Sequence, residues 1–526
     1  MQVRAILFDT QSIQRYIFSN NRLKTNIGAS YIVSHVFEDV LLGEILQPGK
    51  FGLQTVDDES WKLDKDVPED LTADCYVAYI GGGNALLLFP DQGVDYRKEI
   101  VSAFTERLLI KYPGLKTGAA LGMLRLDPPE DFQASMKELY GELKNNQFSL
   151  FPLVNVMNTG LTLSCEVNGE VANAFVTNGE VANAFVTNGS LVKNGSPRFF
   201  SQEVVAKAEA ADKADKVLQD EFKEVLGKYA FPKELDRLGQ KETENDIAVV
   251  HIDGNNMGSR FSNCASLAAR SKLSKQVADN TKTAFKQLLQ HMVATYDSYS
   301  QFLELSDYVL PIRPLILGGD DITFVCNAKL ALLYTKKFME YLMDDSSGRL
   351  AIDSCAGIAI VSTSYPFFRA YELAEQLCDE AKKISRKTPG TSWLDYAILH
   401  GEQAPTIEQI RAQEYKGTLG DMHFGPYQVG GTANHHYNID KLLQAADEIK
   451  NLPPNKYKEL RSVLQHTEHD IKRFVEQLHH NGLDLPMVPG WEMYKDNLWD
   501  KTSGTYKTPF IDAIEIIDYI PPKEAR

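Results

Sequence analysis

The chain has 526 residues, 43% hydrophobic and 24% charged, an ordinary globular composition with room for three or four domains. Its net charge of −16 disfavours a grip on nucleic acid by bulk electrostatics, because such a surface repels a polyanion unless basic groups cluster. Six scattered cysteines without a CxxC pair exclude a disulfide framework or zinc ribbon, and without a membrane-length apolar run or signal-peptide pattern a cytoplasmic protein is expected.

Residues 3–8 (VRAILF) form an apolar run of strand length ending at Asp9. Residues 13–46 read as helix, with Ile17, Leu23, Ile27, Tyr31 and Phe37 at near-helical spacing. Two strand-like runs, 76–80 and 85–89, flank Gly81, Gly82, Gly83 and Asn84. That is a hairpin signal, since these residues accept the positive φ of a tight turn. A helix over 96–109, a strand over 118–124 and a helix over 129–144 complete a first unit. A perfect tandem decapeptide, NGEVANAFVT, then fills 168–177 and 178–187, with NGS at 188–190. Asn-Gly opens each copy, so a β-ribbon or projecting loop is expected; two copies are too few for a solenoid. The charged stretch 202–239 reads as a connecting helix pair.

From 246 the strand–helix order restarts. IAVVHI runs into Asp253, helices follow over 266–297, and PLIL, GGDD and ITFV span 314–325. A helix over 329–343, a strand over 354–361 and a helix over 370–386 close a second unit, and the tail from 438 is mostly helical. The two units align. AILFDTQSIQRY matches VVHIDGNNMGSRF, so Asp9 falls on Asp253 and Gln14 on Gly258; YIGGGNALLLF matches LILGGDDITFV, so Asn84 falls on Asp321. Gly122 and Gly357 then pair as the next strand glycines. The order in both is βαββαβ, the ferredoxin-like topology, with its hairpin expected at the sheet centre. The fold class is therefore α/β (α+β). It comprises two ferredoxin-like domains at 1–154 and 246–405, an insertion at 155–245 and a helical C-terminal domain at 406–526.

The second copy carries the chemistry. A strand ending in Asp253 beside a hairpin with Asp320 and Asp321 gathers carboxylates at one sheet edge. Like charges so close need a cation, and two Mg²⁺ or Mn²⁺ ions supply it. Such a pair clamps a triphosphate and acidifies an attacking hydroxyl. Gly318 and Gly319 clear space for a phosphate near the backbone. The turn Gly254, Asn255, Asn256, Met257 and Gly258 offers N–H groups to β- and γ-phosphates. Lys382 and Arg386, four apart on the closing helix, suit the outer phosphate.

LGGDDITFV, with HIDGNNMG before it and AEQLCDEAKKISR after it, resembles the palm of GGDEF-type nucleotide cyclases and related polymerases. The resemblance implies metal binding by the strand acid and the fourth hairpin residue, here Asp253 and Asp321, and phosphate binding by Lys382 and Arg386. The hairpin reads GGDDI rather than GGDEF. QSIQRYIFSNNRLKTNIGASYIVSHV at 11–36 and YIGGGNALLLF are similar to the degenerate first palm of the large subunit of type III CRISPR effector complexes. This implies ATP as substrate, a cyclic or linear oligoadenylate as product, and control through companion effector subunits with guide and target RNA. The alternatives are a catalytically silent scaffold subunit and a diguanylate-type cyclase using GTP. The sequence departs from the family in having no HD nuclease domain ahead of the first palm. Its inter-palm cysteine cluster is reduced to Cys165, so neither DNA cleavage nor zinc is expected.

Plainer readings stand beside several of these residues. Asp320 is either ligand or turn former. Asp9, with Gly82, Gly83 and Asn84, is either a remnant of duplication or the acceptor side of the reaction. His469-Asp470, His435-His436 and His479-His480 read as surface groups, and Cys264 and Cys378 as small buried hydrophobes.

Overall fold

The computed structural model describes residues 1–46, 51, 55–56, 74–148, 160, 162–176, 198–239, 244–305, 308–346, 348–399, 401, 406–431, 435–485, 488–494, 498–499 and 506–523. It forms two compact units, one of Met1–Lys223, Asn256–Asp279 and Leu315–Asp320, the other of Glu224–Asn255, Asn280–Pro314 and Asp321–Arg526.

The first sheet comprises β1 (Gln2–Gln11), β2 (Thr55–Val56), β3 (Cys75–Gly81), β4 (Asn84–Phe89) and β5 (Lys116–Arg125), in the order β2-β3-β4-β1-β5. β1 pairs antiparallel with both β4 and β5, so both its edges are hydrogen-bonded, and its apolar side chains pack on both faces. On one face Val3, Ala5 and Leu7 join Phe132, Met136 and Leu139 of α4. On the other, Phe8 meets Phe37 and Phe104 at ring distances of 6.0 and 5.0 Å. The helices are α1 (Ile13–Ile17), α2 (Leu23–Val36, continued by a π-helical Phe37–Ile45), α3 (Arg97–Lys111), α4 (Pro129–Phe148) and α5 (Gln202–Glu221).

The single helix expected over 13–46 is broken. Asn20 Oδ1 accepts from the Arg22 N–H at 2.9 Å and the Thr25 hydroxyl at 2.6 Å, a local bond set that competes with helix between α1 and α2. The helix pair expected over 202–239 is very unequal: a long helix, α5, capped by Ser201, is followed by a single α-helical turn at Lys223–Leu226 and a 3-10 turn at Leu235–Arg237. The long helix lies directly on α2: a Cβ on Gly28 would stand 1.7 Å from the Lys207 carbonyl oxygen. The first decapeptide copy contributes a short strand, Ala174–Val176, paired antiparallel with Arg198–Phe200. The second copy and the NGS after it lie outside the described residues.

The second sheet repeats the plan and extends it. β6 (Asp246–Gly254), β7 (Ile312–Gly318), β8 (Asp321–Asn327), β9 (Ser354–Ser362), β10 (Ser392–Ile398) and β11 (Tyr427–Val429) run in the order β11-β10-β9-β6-β8-β7. Two corrections follow. The hairpin is not central: β8 is interior beside β6, but β7 is an edge. The sheet also gains β10, parallel to β9, and the short β11. The helices include α6 (Met257–Ser262), α7 (Leu267–Ala294), α8 (Ala331–Met343) and α9 (Phe367–Ser385), then α10 (Ile439–Ile449), α11 (Pro454–Val463), α12 (Glu468–His480) and α13 (Phe510–Glu515), alongside Tyr296–Leu303 and Ile407–Glu414. Asp470 completes a capping box with Thr467 at the start of α12, and Cys378 is buried while Cys264 is half-exposed.

Register tests the internal alignment directly. Asp9 sits opposite Asn84 and Asp253 opposite Asp321, as the sequence match requires. The strand glycines do not correspond: Gly122 faces Ala5, four residues before Asp9, whereas Gly357 faces His251, two before Asp253. Each still serves helix docking. A Cβ on Gly357 would lie 1.9 Å from the Ala374 carbonyl oxygen of α9, and one on Gly122 2.7 Å from Leu139 Cδ1 of α4.

Candidate active site

Side chains alternate along β6, so His251 and Asp253 share the face covered by α9. β8 begins at Asp321, and the two-residue loop Gly319–Asp320 sets its register. Gly319 has φ +72° and Asp320 an ordinary negative φ, a pattern in which only the first loop position needs glycine. Asp253 and Asp321 are thereby cross-strand neighbours, each about a third exposed. Lys382, in the last turn of α9, places Nζ 2.9 Å from Asp253 Oδ2. Burial disfavours its charge, but the Cys378 thiol and the Asp253 carboxylate outweigh that and raise its pKa. Glu375 and Asp379 add acid on α9. Burial and then the Asp379 charge raise the Glu375 pKa.

Beneath this layer lies His251, 5% exposed. Its Nδ1 is 3.5 Å from Asp321 Oδ1 and 3.4 Å from Thr323 Oγ1, and its ring meets the Tyr371 ring edge-on at 5.5 Å. Burial, then the Lys382 charge, push its pKa down to about 3. The imidazole is therefore neutral at pH 7, and its approach to Asp321 is a dipolar contact rather than an ion pair. This histidine opens the HIDGNNMG stretch, but nothing in the sequence assigned it a role.

The turn in the structure is shorter than the expected 254–258. Gly254 is still within β6, opposite Ser354. The Asn255 N–H donates to the Asp353 carbonyl at 2.7 Å, and its side-chain amide donates to Ser385 Oγ at 3.0 Å and the Thr391 carbonyl at 3.3 Å. Its Oδ1 accepts the Cys355 thiol at 3.3 Å. Asn255 is thus a tether between strand ends. Asn256, at φ +60°, opens α6; Met257 is buried and Gly258 faces open space. Gly318 is exposed, Asp320 partly exposed, and Arg386 exposed at the end of α9.

Among the described residues no group of three or more His, Cys, Asp or Glu is arranged to hold a metal. The donors that do converge, Asp253 and Asp321 opposite one another on β6 and β8, are hard oxygens. That set fits Mg²⁺ or Mn²⁺, which keep water and phosphate ligands and need few carboxylates, and it does not fit zinc.

The corresponding place in the first sheet is differently equipped. Asp9 Oδ2 accepts from Gln147 Nε2 of α4 at 2.7 Å, and Asn84 Nδ2 donates to the Gly82 carbonyl at 3.0 Å. Gln147 stands where Lys382 stands in the second sheet. Burial raises the Asp9 pKa, partly offset by the Gln147 bond.

Two ferredoxin-like sheets, one with an acid pair across strand and hairpin, define a two-palm protein of the nucleotide-cyclase and polymerase fold class. Residues 246–388 match the family model "Cas10/Cmr2, second palm domain", and the chain resembles the Cas10-type large subunit of type III CRISPR complexes. Among solved structures, the Csm1–Csm4 cassette in complex with cA4 is similar with TM-score 0.55 and 12% identity, over 99% of this chain and 70% of that one. Csm1 in T. onnurineus gives 0.53 and 13%, over 98% and 69%. The Csm1–Csm4 cassette in complex with pppApA gives 0.52 and 12%, over 99% and 70%. At such identity these likenesses speak to fold. No curated protein matches the sequence. No helix among the described residues is long and apolar enough to cross a membrane.

Proposed function

We propose that the chain is a nucleotidyltransferase that joins ATP molecules into a cyclic or linear oligoadenylate, as the large subunit of a cytoplasmic type III CRISPR-like effector. The observation that carries this reading is the cross-strand pair Asp253–Asp321 with Lys382 at 2.9 Å, an acid pair retained in one palm only. Asp253 and Asp321, with Asp320 on the turn, would hold two Mg²⁺ or Mn²⁺ ions. When bound, these ions would neutralise the triphosphate and acidify the attacking ribose hydroxyl. Lys382 would leave Asp253 for phosphate oxygens, and Arg386, exposed four residues on, would reach the outer phosphate. Gly318 and Gly319 would let the triphosphate approach the hairpin backbone, and the N–H groups opening α6 at Met257 and Gly258 would add donors. The first palm, with Asp9 bonded to Gln147, would receive the acceptor nucleotide.

The nucleotide and partner assignments draw on the similar structures, which hold cA4 and pppApA and include Csm4. A Csm4-like partner is therefore proposed, and guide and target RNA, which the first-palm resemblance of the sequence implies, are proposed to gate the activity through it. The test is to incubate the chain, alone and with its neighbouring gene products and target RNA, with ATP and Mg²⁺ or Mn²⁺. Pyrophosphate and oligoadenylate are expected. Absence of pyrophosphate under every combination would leave only a silent scaffold, and product from GTP alone would make it a diguanylate-type cyclase.

A further inference from the structure

Two residues below the acid pair, on the same face of the sheet, the two palms differ in kind. In the first, Leu7 faces Leu86, both fully buried beneath Asp9 and Asn84. In the second, His251 faces Thr323 beneath Asp253 and Asp321. The helix above follows suit. The residue eleven positions before Gln147 is the buried Met136, while the residue eleven before Lys382 is Tyr371, whose ring packs on His251. An apolar pair fills that space in the first palm, so the fold itself does not ask for polar groups there. Burying a histidine and a threonine in place of two leucines forfeits apolar burial and demands hydrogen-bond partners. The polar pair therefore needs a reason, and it lies against Asp321.

We propose that His251 is a positioning residue for Asp321: it holds the inner carboxylate oxygen so that the outer one is presented to a divalent cation. This rests on the reading of Asp253 and Asp321 as metal ligands. Asp321 Oδ1 is buried, although the side chain as a whole is 29% exposed, so solvent reaches it through the other oxygen. The imidazole Nδ1 at 3.5 Å stands on the buried side. Tyr371 and Thr323 limit the rotation of the ring. Orientation by a group behind the ligand fixes which lone pairs face a cation, and losing such support commonly costs ten- to a hundredfold in affinity, about 1.4–2.7 kcal/mol.

The experiment compares Mn²⁺ uptake by the full chain, read from the electron paramagnetic resonance of free Mn²⁺ with ATP present, in wild type, His251→Leu, His251→Asn and Thr323→Val. His251→Leu installs the first palm's residue. It is expected to weaken Mn²⁺ at least tenfold and to lower kcat with KM for ATP changed less than twofold. His251→Asn, which keeps a donor, is expected to recover most of the loss. A folded His251→Leu with wild-type Mn²⁺ affinity and kcat overturns the proposal. Should that variant not fold, Thr323→Val decides: it is expected to weaken Mn²⁺ several-fold, and wild-type affinity there overturns the proposal equally. If the wild-type chain takes up no Mn²⁺ at all, the metal-site reading fails first, a result distinct from an indifferent His251.

Discussion

The first and second palms share strand order and register, yet only one pairs its acids. Asp9 faces a neutral Asn84 and is bonded by a neutral Gln147; Asp253 faces Asp321 and is held by Lys382. The same backbone is therefore built with or without the charged layer. What folds a palm is the buried strand and the glycine under its closing helix. What equips it is a handful of side chains at one strand end, where two neighbouring carboxylates repel and lower the stability of the sheet that carries them.

The sharpest way to break this contrast is to remove acids one at a time. Asp321→Ala and Asp253→Ala should each reduce turnover by a factor of about 100 or more while leaving the melting temperature unchanged or raised. Asp9→Ala should retain a substantial fraction of activity. Equal and complete loss in all three, followed by pyrophosphate release, would show that both palms catalyse.

A second comparison concerns the closing helices. Gly357→Ala drives a methyl into backbone of α9, at 1.9 Å from one carbonyl oxygen and 2.5 Å from the Cys378 nitrogen. Gly122→Ala meets only the tip of Leu139, which can turn aside. Urea unfolding should give a loss of about 3 kcal/mol or more for the first and about 1 kcal/mol for the second. Similar losses would mean that the two helices dock alike after all.

These two comparisons also show how far the sequence could be read. The acid pair was legible because GGDD and HIDG are local and sit at matching places in a duplicated pattern. The helix break at Asn20 was not, because its cause is a side chain bonding backbone two residues on, which leaves the apolar spacing intact. The glycine match slipped by two residues because either glycine suits a close helix, and only register distinguishes them. His251 was hidden as a lone histidine within an apolar strand. β10 was hidden by Asp395, which interrupts an otherwise apolar SWLDYAI. In the fold that carboxylate is buried and satisfied by His423 Nε2 at 2.9 Å and Arg411 Nη2 at 3.0 Å.

That buried network gives the second unit a pH dependence of its own. His423 also reaches Asp512 at 3.0 Å, and Glu515 beside it accepts from Tyr415 at 2.6 Å and Arg461 at 3.0 Å. Burial, with the Asp512 charge adding to it, pushes the Glu515 pKa up to about 7. Its folded pKa thus exceeds the unfolded value of about 4.3, so the native state binds more protons between those limits and stability falls as pH rises through them. Glu515→Gln should flatten that decline and stabilise the chain at pH 8 by about 2 kcal/mol, read from thermal melts across pH. An unchanged pH profile would show that Arg461 already keeps the carboxylate ionised.

The smallest effect belongs to Asp9, and its sign separates a remnant from a working acid. Burial raises its pKa, with only the Gln147 amide opposing. A carboxyl whose folded pKa lies above its unfolded one destabilises the fold once pH exceeds both, because ionisation is harder in place than in water. Asn keeps the size and can still bond Gln147 after an amide turn. Asp9→Asn should therefore raise the stability at pH 7 by about 0.5 kcal/mol, and the gain should shrink as the pH falls through the raised folded pKa and be gone below the unfolded carboxylate value of about 3.9. The opposite sign, a loss at pH 7, would mean that the charge of Asp9 has a partner in the native state. The first palm would then be closer in kind to the second than its Asn84 and Gln147 make it look.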